Sequence, residues 1–169
     1  MITALPGPAD WIDAALECAR HKERAVLGLV TSERGSTPRD TGSWILLTKD
    51  ADVGTIGGGE LERTVIEAGR AMLEGAGTWS RAPMQCALGP DMRQCCGGVM
   101  HILLEPIDAD ALKWLSQATQ QLASKDHVRI AIDETVSETS PIVITDERFK
   151  DPIGPETTVL SFSENRPRL

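Results

Sequence analysis

A run of three glycines constrains the fold of this chain more than any other feature. The segment Val53-Gly-Thr-Ile-Gly-Gly-Gly-Glu-Leu61 passes from a short apolar stretch through Gly57, Gly58 and Gly59 into a helical pattern. Three successive glycines cost backbone entropy, about 1 kcal/mol each relative to alanine in regular structure. The run therefore predicts a strand-to-helix turn that needs positive φ angles or a close approach to the backbone.

The same turn has the features of an anion-binding site. Backbone amides at the start of a helix lack intrahelical partners and carry the positive end of the helix dipole, which suits phosphate or another oxyanion. Two familiar sites are excluded, because Glu60 stands where a P-loop needs lysine and Glu62 where a dinucleotide fingerprint needs glycine. A tight turn without a ligand is the alternative interpretation.

Apolar spacing divides the chain into alternating strands and helices. Helices are predicted at 8–22, at 60–74 and from Asp108 or Asp110 onward, the last with Leu112, Leu115, Ala118 and Leu122 facing inward. Strands are predicted at 24–31, 43–48, 53–56, 78–86, 97–104, 127–132 and 141–145. The alternation predicts a single-domain α/β fold, a mixed β-sheet with helices packed on it.

The predicted domain covers residues 1–148. From 149 to 169 the chain becomes irregular, with Asp151-Pro-Ile-Gly-Pro155 followed by a short apolar stretch and then Glu164-Asn-Arg-Pro-Arg-Leu169. We therefore expect residues 149–169 to form a linker-like carboxy-terminal tail.

Charge and composition exclude several classes of protein. The 169 residues include 25 acidic and 17 basic ones, a net charge of −8 that disfavours nucleic-acid binding. We expect a cytoplasmic protein, because no run of 18 apolar residues is present and the amino terminus lacks a secretion-signal pattern. In that compartment the four cysteines, Cys18, Cys86, Cys95 and Cys96, are expected to be reduced.

Adjacent cysteines mark a second segment, Leu88-Gly-Pro-Asp-Met-Arg-Gln-Cys-Cys-Gly-Gly98. A thiolate attacks sulfur and binds soft metals, and Arg93 or helix amides would lower the pKa of a nearby thiol. The alternative is that one cysteine faces inward and only the other is available to a ligand. In that case Cys95 is the first choice for the available thiol. A zinc site of Cys86, Cys95, Cys96 and His101 is disfavoured, because adjacent cysteines rarely chelate one tetrahedral ion. His101 lies in an apolar strand and is expected in the core.

The third segment is Arg34-Gly-Ser-Thr-Pro-Arg-Asp-Thr-Gly42. Pro38 stiffens this loop, so Arg39 is presented for bidentate phosphate recognition, while Ser36 and Thr37 offer hydroxyl groups. Since no acid/base constellation accompanies these segments, they favour a site that holds a ligand over one that turns it over.

Taken in order, Gly35-Ser-Thr-Pro-Arg39 with Gly42, Gly54-Thr-Ile-Gly-Gly-Gly-Glu-Leu-Glu62, Leu88-Gly-Pro90 and Gln94-Cys-Cys-Gly-Gly98 resemble the XdhC/CoxI family of xanthine dehydrogenase accessory proteins. The resemblance covers about residues 11–105. It implies a non-enzymatic, typically dimeric chaperone that binds the molybdenum cofactor. The chaperone protects the cofactor while a cysteine desulfurase exchanges Mo=O for Mo=S, and delivers it to a xanthine dehydrogenase-type enzyme.

The resemblance also assigns residues and leaves alternatives. One of the paired cysteines is implied in cofactor binding, and a pterin dithiolene with a terminal phosphate suits an oxyanion cradle beside sulfur. The predicted cofactor-binding residues are Arg39, Thr55, Gly57, Gly58, Gly59, Gln94, Cys95 and Cys96, with no catalytic or metal-ligating residue. The alternatives are a sulfurtransferase that uses a cysteine persulfide and a module that only binds the dehydrogenase and the desulfurase.

One departure from the family is expected. Full-length members have a two-part design in which a Rossmann-like domain, opening with Gly-Ala-Gly-His, follows this domain. Arg166-Pro-Arg-Leu169 resembles the connection to that second domain, so the Rossmann half is expected to be absent here.

Overall fold

The computed structural model describes residues 6–37, 39–89, 97–135, 140–145 and 156–164. The helices in these ranges are α1 (Asp10–Arg20), α2 (Gly59–Leu73) and α3 (Leu112–Lys125), the last preceded by a 3-10 turn at Ala109–Ala111. The strands are β1 (Ala25–Arg34), β2 (Trp44–Thr48), β3 (Asp52–Thr55), β4 (Ala82–Ala87), β5 (Val99–Ile107), β6 (His127–Asp133), β7 (Ile142–Ile144) and β8 (Thr157–Ser163). None of the helices in these ranges has the length and hydropathy of a membrane span.

The strands form two sheets, with the orders β3-β2-β1-β5-β4 and β7-β6-β8. The α/β class and the packing of helices on sheet are confirmed. The strands are divided between two antiparallel sheets, however, where one mixed sheet was expected. Short connections join β1 to β2 and β2 to β3, and such connections permit only antiparallel neighbours.

The central strand β1 is apolar on both faces because both faces are covered. Val26 and Val30 lie in the core beneath α2, whereas Leu27 and Leu29 lie in a larger core shared with α1, α3 and the second sheet. Successive residues of a strand point to opposite faces, so a strand covered on both sides needs a continuous apolar run. The run at 24–31 is therefore correctly predicted as a buried strand.

The second sheet corrects the predicted linker. Residues 157–163, expected within the linker-like tail 149–169, form β8 and pair along the whole of β6, from His127↔Ser163 to Asp133↔Thr157. Leu160 and Phe162 are buried, and the Phe162 ring packs edge-on against Trp11 with centroids 5.1 Å apart. In the sequence only these two buried side chains alternate with polar ones. An alternation this short does not predict a strand.

The third helix begins as predicted and buries three of the four side chains that were expected to face inward. The Asp108 carboxylate accepts a hydrogen bond from the Asp110 amide at 2.9 Å and so caps the 3-10 turn. Leu115, Ala118 and Leu122 are buried as expected, whereas Leu112 is 39% exposed, and Trp114, which was not in the predicted set, is buried.

A buried ion pair links the two sheets. Arg81, just before β4, donates from Nε to Glu105 Oε2 at 2.5 Å and from Nη2 to Glu105 Oε1 at 2.9 Å. Its Nη1 donates to the Asp133 carbonyl at the end of β6 at 2.6 Å. Burial raises the pKa of Glu105, and Arg81 partly offsets that rise. Removing either partner would leave a buried charge alone, and the hydrogen bond from Arg81 to the Asp133 carbonyl joins this pair to the second sheet.

Candidate functional site

The glycine turn, Gly54–Gly59, connects β3 to α2. Gly57, Gly58 and Gly59 have φ angles of 120°, 74° and 66°, in the region that favours glycine. A Cβ atom built on Gly58 would meet nothing within 4 Å. The prediction that the run needs positive φ angles is therefore confirmed, and at Gly58 a close neighbour is not the reason for the glycine.

The amides of this turn are engaged within the protein. The Glu62 carboxylate, from the first turn of α2, accepts from the Ile56 amide at 2.9 Å, the Gly58 amide at 3.0 Å and the Thr55 hydroxyl at 2.5 Å. The Gly57 amide donates to Thr55 Oγ1 at 3.2 Å. The expectation of unpaired amides is therefore wrong for Gly57 and Gly58, because the Thr55 hydroxyl accepts from the first and the Glu62 carboxylate accepts from the second.

The charge of Glu62 is stabilised where it lies. Burial raises the pKa of Glu62, but the hydrogen bonds from Thr55, Ile56 and Gly58 outweigh that effect, and the positive charge of Arg39 adds to them. The net result is a pKa below the ordinary value for a glutamate. In the sequence Glu62 rules out a dinucleotide fingerprint and closes one motif of the resemblance, but its role as an acceptor for the turn was not predicted.

The loop between β1 and β2 presents Arg39 near this carboxylate. Two backbone hydrogen bonds close the loop at its base, from Gly42 N to Val30 O at 2.8 Å and from Val30 N to Ser43 O at 2.9 Å. Within the loop, Thr37 Oγ1 donates to the Arg39 carbonyl at 3.3 Å. The Arg39 side chain is exposed. The loop thus holds its backbone in place and leaves the guanidinium accessible.

A cavity of about 320 Å³ lies beside Arg39 and Thr55. Apolar rings from Trp44 and Phe162 form part of its wall, and the Trp44 indole is oriented by its hydrogen bond to the Gly7 carbonyl at 3.2 Å. The other lining residues are Pro6, Pro8, Thr41, Gly42, Ser43, Gly54 and Ser161. Two predicted site residues, Arg39 and Thr55, therefore meet in one cavity, whereas Gly57, Gly58 and Gly59 do not line it.

Sequence reasoning missed the aromatic wall of this cavity. Trp44 was assigned only to a strand, and Phe162 belongs to β8, which arrives from the part of the chain predicted to be a linker. No local pattern in the sequence connects Phe162 to Arg39, because only the pairing of β8 with β6 brings them together.

The paired cysteines lie outside the described residues, as does Gln94, but their flanks are placed. The Gly98 amide donates to the Ser36 carbonyl at 3.0 Å, and the Leu88 amide donates to the Gly98 carbonyl at 2.8 Å. A Cβ atom on Gly98 would lie 2.4 Å from Ser36 O and 2.5 Å from Arg34 O, so only glycine fits there. The end of the cysteine segment is thus fastened to the loop that carries Arg39.

The other cysteines are structural in character. Cys86 is buried and Cys18 is half-buried, and burial raises the pKa of both thiols. His101 was expected in the core but is exposed, because the core layer that covers Leu103 on the same strand face does not extend to it. Cys86 pairs with Met100, so its side chain and that of His101 point to opposite faces of the sheet. This placement argues against the zinc site that combined them.

Across the ranges that the structure describes, no three His, Cys, Asp or Glu side chains come together as metal ligands.

Comparison with known proteins supports the resemblance drawn from the motifs. Residues 18–81 match the model of the XdhC and CoxI family. The matched residues include the Arg39 loop and the glycine turn and end before the paired cysteines. The resemblance to this family is therefore confirmed for two of its three segments.

The fold is similar to that of a solved structure described as a xanthine dehydrogenase from Bacillus halodurans, with a TM-score of 0.74 and 17% sequence identity. The alignment covers 94% of this chain and 53% of that chain, so this chain spans about half the length of that protein. At this identity the likeness is evidence for the fold alone. No curated protein matches the sequence.

Proposed function

We propose, from the match of residues 18–81 to the XdhC and CoxI family, that this chain is an accessory protein in the maturation of a xanthine dehydrogenase-type enzyme. In this proposal it is a non-enzymatic, cytoplasmic homodimer that binds the molybdenum cofactor. It protects the cofactor during sulfuration by a cysteine desulfurase and delivers it to the dehydrogenase.

The observation that carries the proposal is the cavity beside Arg39. Its volume of about 320 Å³ and its Trp44 and Phe162 rings suit a planar heterocycle such as a pterin. The Arg39 guanidinium suits a terminal phosphate, which it can bind through two parallel hydrogen bonds. The hydroxyl groups of Thr41, Ser43 and Ser161 line the same space. The residues present therefore fit the group that the family implies.

Each predicted residue has a part in this proposal. Arg39 binds the phosphate, and Thr55 lies at the cavity wall while its hydroxyl donates to Glu62. Gly57, Gly58 and Gly59 set the backbone path that places Thr55. The cofactor, when bound, would supply the molybdenum at which oxygen is exchanged for sulfur, and Cys95 or Cys96, which follow Gln94 in the sequence, would hold the cofactor during that exchange.

Support for including the cysteines comes from the contact at Gly98. Cys96 is bonded to Gly97, and Gly98 is hydrogen-bonded to Ser36 in the loop that carries Arg39. Since consecutive Cα atoms are about 3.8 Å apart, the covalent chain from Gly98 limits how far the cysteines lie from that loop. The cysteine segment is thus tethered, through Gly98, to the loop that carries Arg39.

The test is a cofactor-retention assay on the purified 169-residue chain. Released cofactor is added, unbound material is removed, and the retained pterin is measured by its fluorescence after oxidation. Arg39→Gln should lower retention about tenfold, as expected for the loss of a charge-assisted hydrogen bond. Arg20→Gln, an exposed arginine on α1, is the matched control and should retain as much as the parent.

The cysteines are tested in the same assay. Cys95→Ala or Cys96→Ala should lower retention, whereas Cys18→Ala on α1 should not. If both variants retain cofactor like the parent, the thiol assignment is wrong. If the parent retains none but gains about 32 Da on one cysteine when mixed with a desulfurase, the sulfurtransferase alternative replaces the carrier. Binding to the dehydrogenase without cofactor retention would favour the interaction module.

A further inference from the structure

A second group of polar side chains lies on the first sheet, on the face that Leu103 shares but outside the area that the core covers. His101 on β5 pairs with Ser32 on β1 and with Gln85 on β4. Directly opposed residues of antiparallel strands point to the same face, with Cβ atoms about 5 Å apart. The three side chains therefore form a row, and Arg34 follows in the next row opposite Val99. We call Ser32, Arg34, Gln85 and His101 the open sheet face.

A β-bulge determines which residues reach this face. Val30 pairs with Ile102 and Ser32 pairs with His101, so Thr31 is the extra residue, and its hydroxyl donates to the His101 carbonyl at 3.3 Å. Without the extra residue, Thr31 and Glu33 would stand where Ser32 and Arg34 stand. The bulge thus places a guanidinium on the open face where a regular strand would place a carboxylate, and bulges commonly re-aim side chains beside functional sites.

These side chains border a cavity of about 350 Å³, together with Glu33 and Val99. All four are exposed, and within the described part of the chain none of their side chains takes part in a hydrogen bond or an ion pair. Among the described residues, Glu33 is the one carboxylate at this cavity, and it accepts a hydrogen bond from the Thr41 hydroxyl. The open face therefore combines one permanent cation with three further donor side chains that have no partner there.

We propose that the open sheet face is an anion-binding site for the phosphate group of a small molecule. A phosphate group has three terminal oxygens, which can accept from separate strands, and arginine binds it through two parallel hydrogen bonds. The cavity is larger than a phosphate group, so it has room for the rest of a small ester. This site shares no residue with the cavity beside Arg39 and does not rest on the proposed function.

The experiment is a titration of the full chain at constant pH and ionic strength, followed by the NMR signals of the imidazole C–H groups. Inorganic phosphate and glycerol 3-phosphate are the probes. The chain has three histidines, so His21, directly after α1, and His127 on β6 serve as internal references. We expect a saturable shift of the His101 signal and no matching shift of the other two.

Variants show whether the site is the one described. Arg34→Gln should weaken the apparent affinity at least tenfold, whereas Arg20→Gln should not change it. Arg39→Gln should also leave the phosphate-induced shift of the His101 signal unchanged. Failure of the proposed function and failure of this site are therefore distinguishable. Calorimetric titration of His101→Gln, which lacks the NMR probe, should give a similar loss of affinity.

Some outcomes identify the source of the phosphate group, and others would overturn the site. Tighter binding of glycerol 3-phosphate assigns a phosphorylated small molecule, and binding of inorganic phosphate alone assigns the free anion. A His101 shift that does not saturate, or that equals the shifts of His21 and His127, would overturn the site. Stronger binding of malonate than of either phosphate would overturn the phosphate assignment.

Discussion

The glycine turn and the open sheet face use their hydrogen-bond donors in opposite ways. In the turn, the amides of Ile56 and Gly58 donate to the carboxylate of Glu62. On the open face, donors such as Arg34 and His101 have no partner within the described part of the chain. The donors of a glycine-rich turn that resembles a ligand site are therefore used to stabilise the fold. Side chains within ordinary strands are instead left available to a ligand.

This difference predicts that changes in the turn act on stability. Gly54→Ala should have the largest effect, because Gly54 has a φ of 86° and an added Cβ atom would lie 2.6 Å from the Trp44 carbonyl oxygen. We expect the free energy of unfolding to fall by about 3 kcal/mol, measured by urea denaturation. Gly77→Ala, at a glycine with open space around it, is the matched control. Equal stability of the two variants would contradict a strained turn.

A smaller loss is expected from Glu62→Gln, which keeps an acceptor oxygen but removes the charge. The variant should lose about 1 kcal/mol near neutral pH, the difference between a charged and a neutral acceptor. Because the folded-state pKa of Glu62 is lowered, its contribution is present above the ordinary glutamate pKa and is lost as the pH falls through the folded-state value. Parent and variant should therefore converge in acid, as followed by thermal unfolding at several pH values.

The control for this measurement is Glu67→Gln on the same helix, where the exposed carboxylate pairs with Arg63. That variant should show a smaller difference from the parent, and added salt should reduce the difference further. If Glu62→Gln and Glu67→Gln behaved alike at every pH, the internal anion would have no special role.

The smallest effect on stability is expected at the open sheet face. Arg34→Gln removes no hydrogen bond or ion pair among the described residues, so the free energy of unfolding should change by no more than about 0.5 kcal/mol. Urea denaturation of the two single variants, Arg34→Gln and Glu62→Gln, compares their losses in free energy of unfolding directly. A loss from Arg34→Gln as large as that from Glu62→Gln would show that Arg34 serves the fold, and the contrast between the two regions would disappear.

Much of the fold could be predicted from the sequence, because local patterns reflect local geometry. The apolar run around Leu27 indicated a strand covered on both faces, and the apolar spacing from Leu61 to Met72 indicated the helix α2. Parts of the site were predicted in the same way, since Arg39 and Thr55 lie on segments marked by proline and glycine. Phe162 could not be predicted as part of that site, because its place depends on the pairing of β8 with β6.

The sequence by itself determined the order of strands and helices as far as β7, the positive φ angles at Gly57–Gly59 and the resemblance to a family, since each depends on residues close together in the chain. Only the tertiary structure decided that Glu62 fills the glycine turn, that Phe162 completes the cavity beside Arg39, and that a bulge places Arg34 beside His101. The physical reason is that a hydrogen-bond donor is satisfied by whichever acceptor the fold brings within about 3 Å, and sequence spacing does not record that distance.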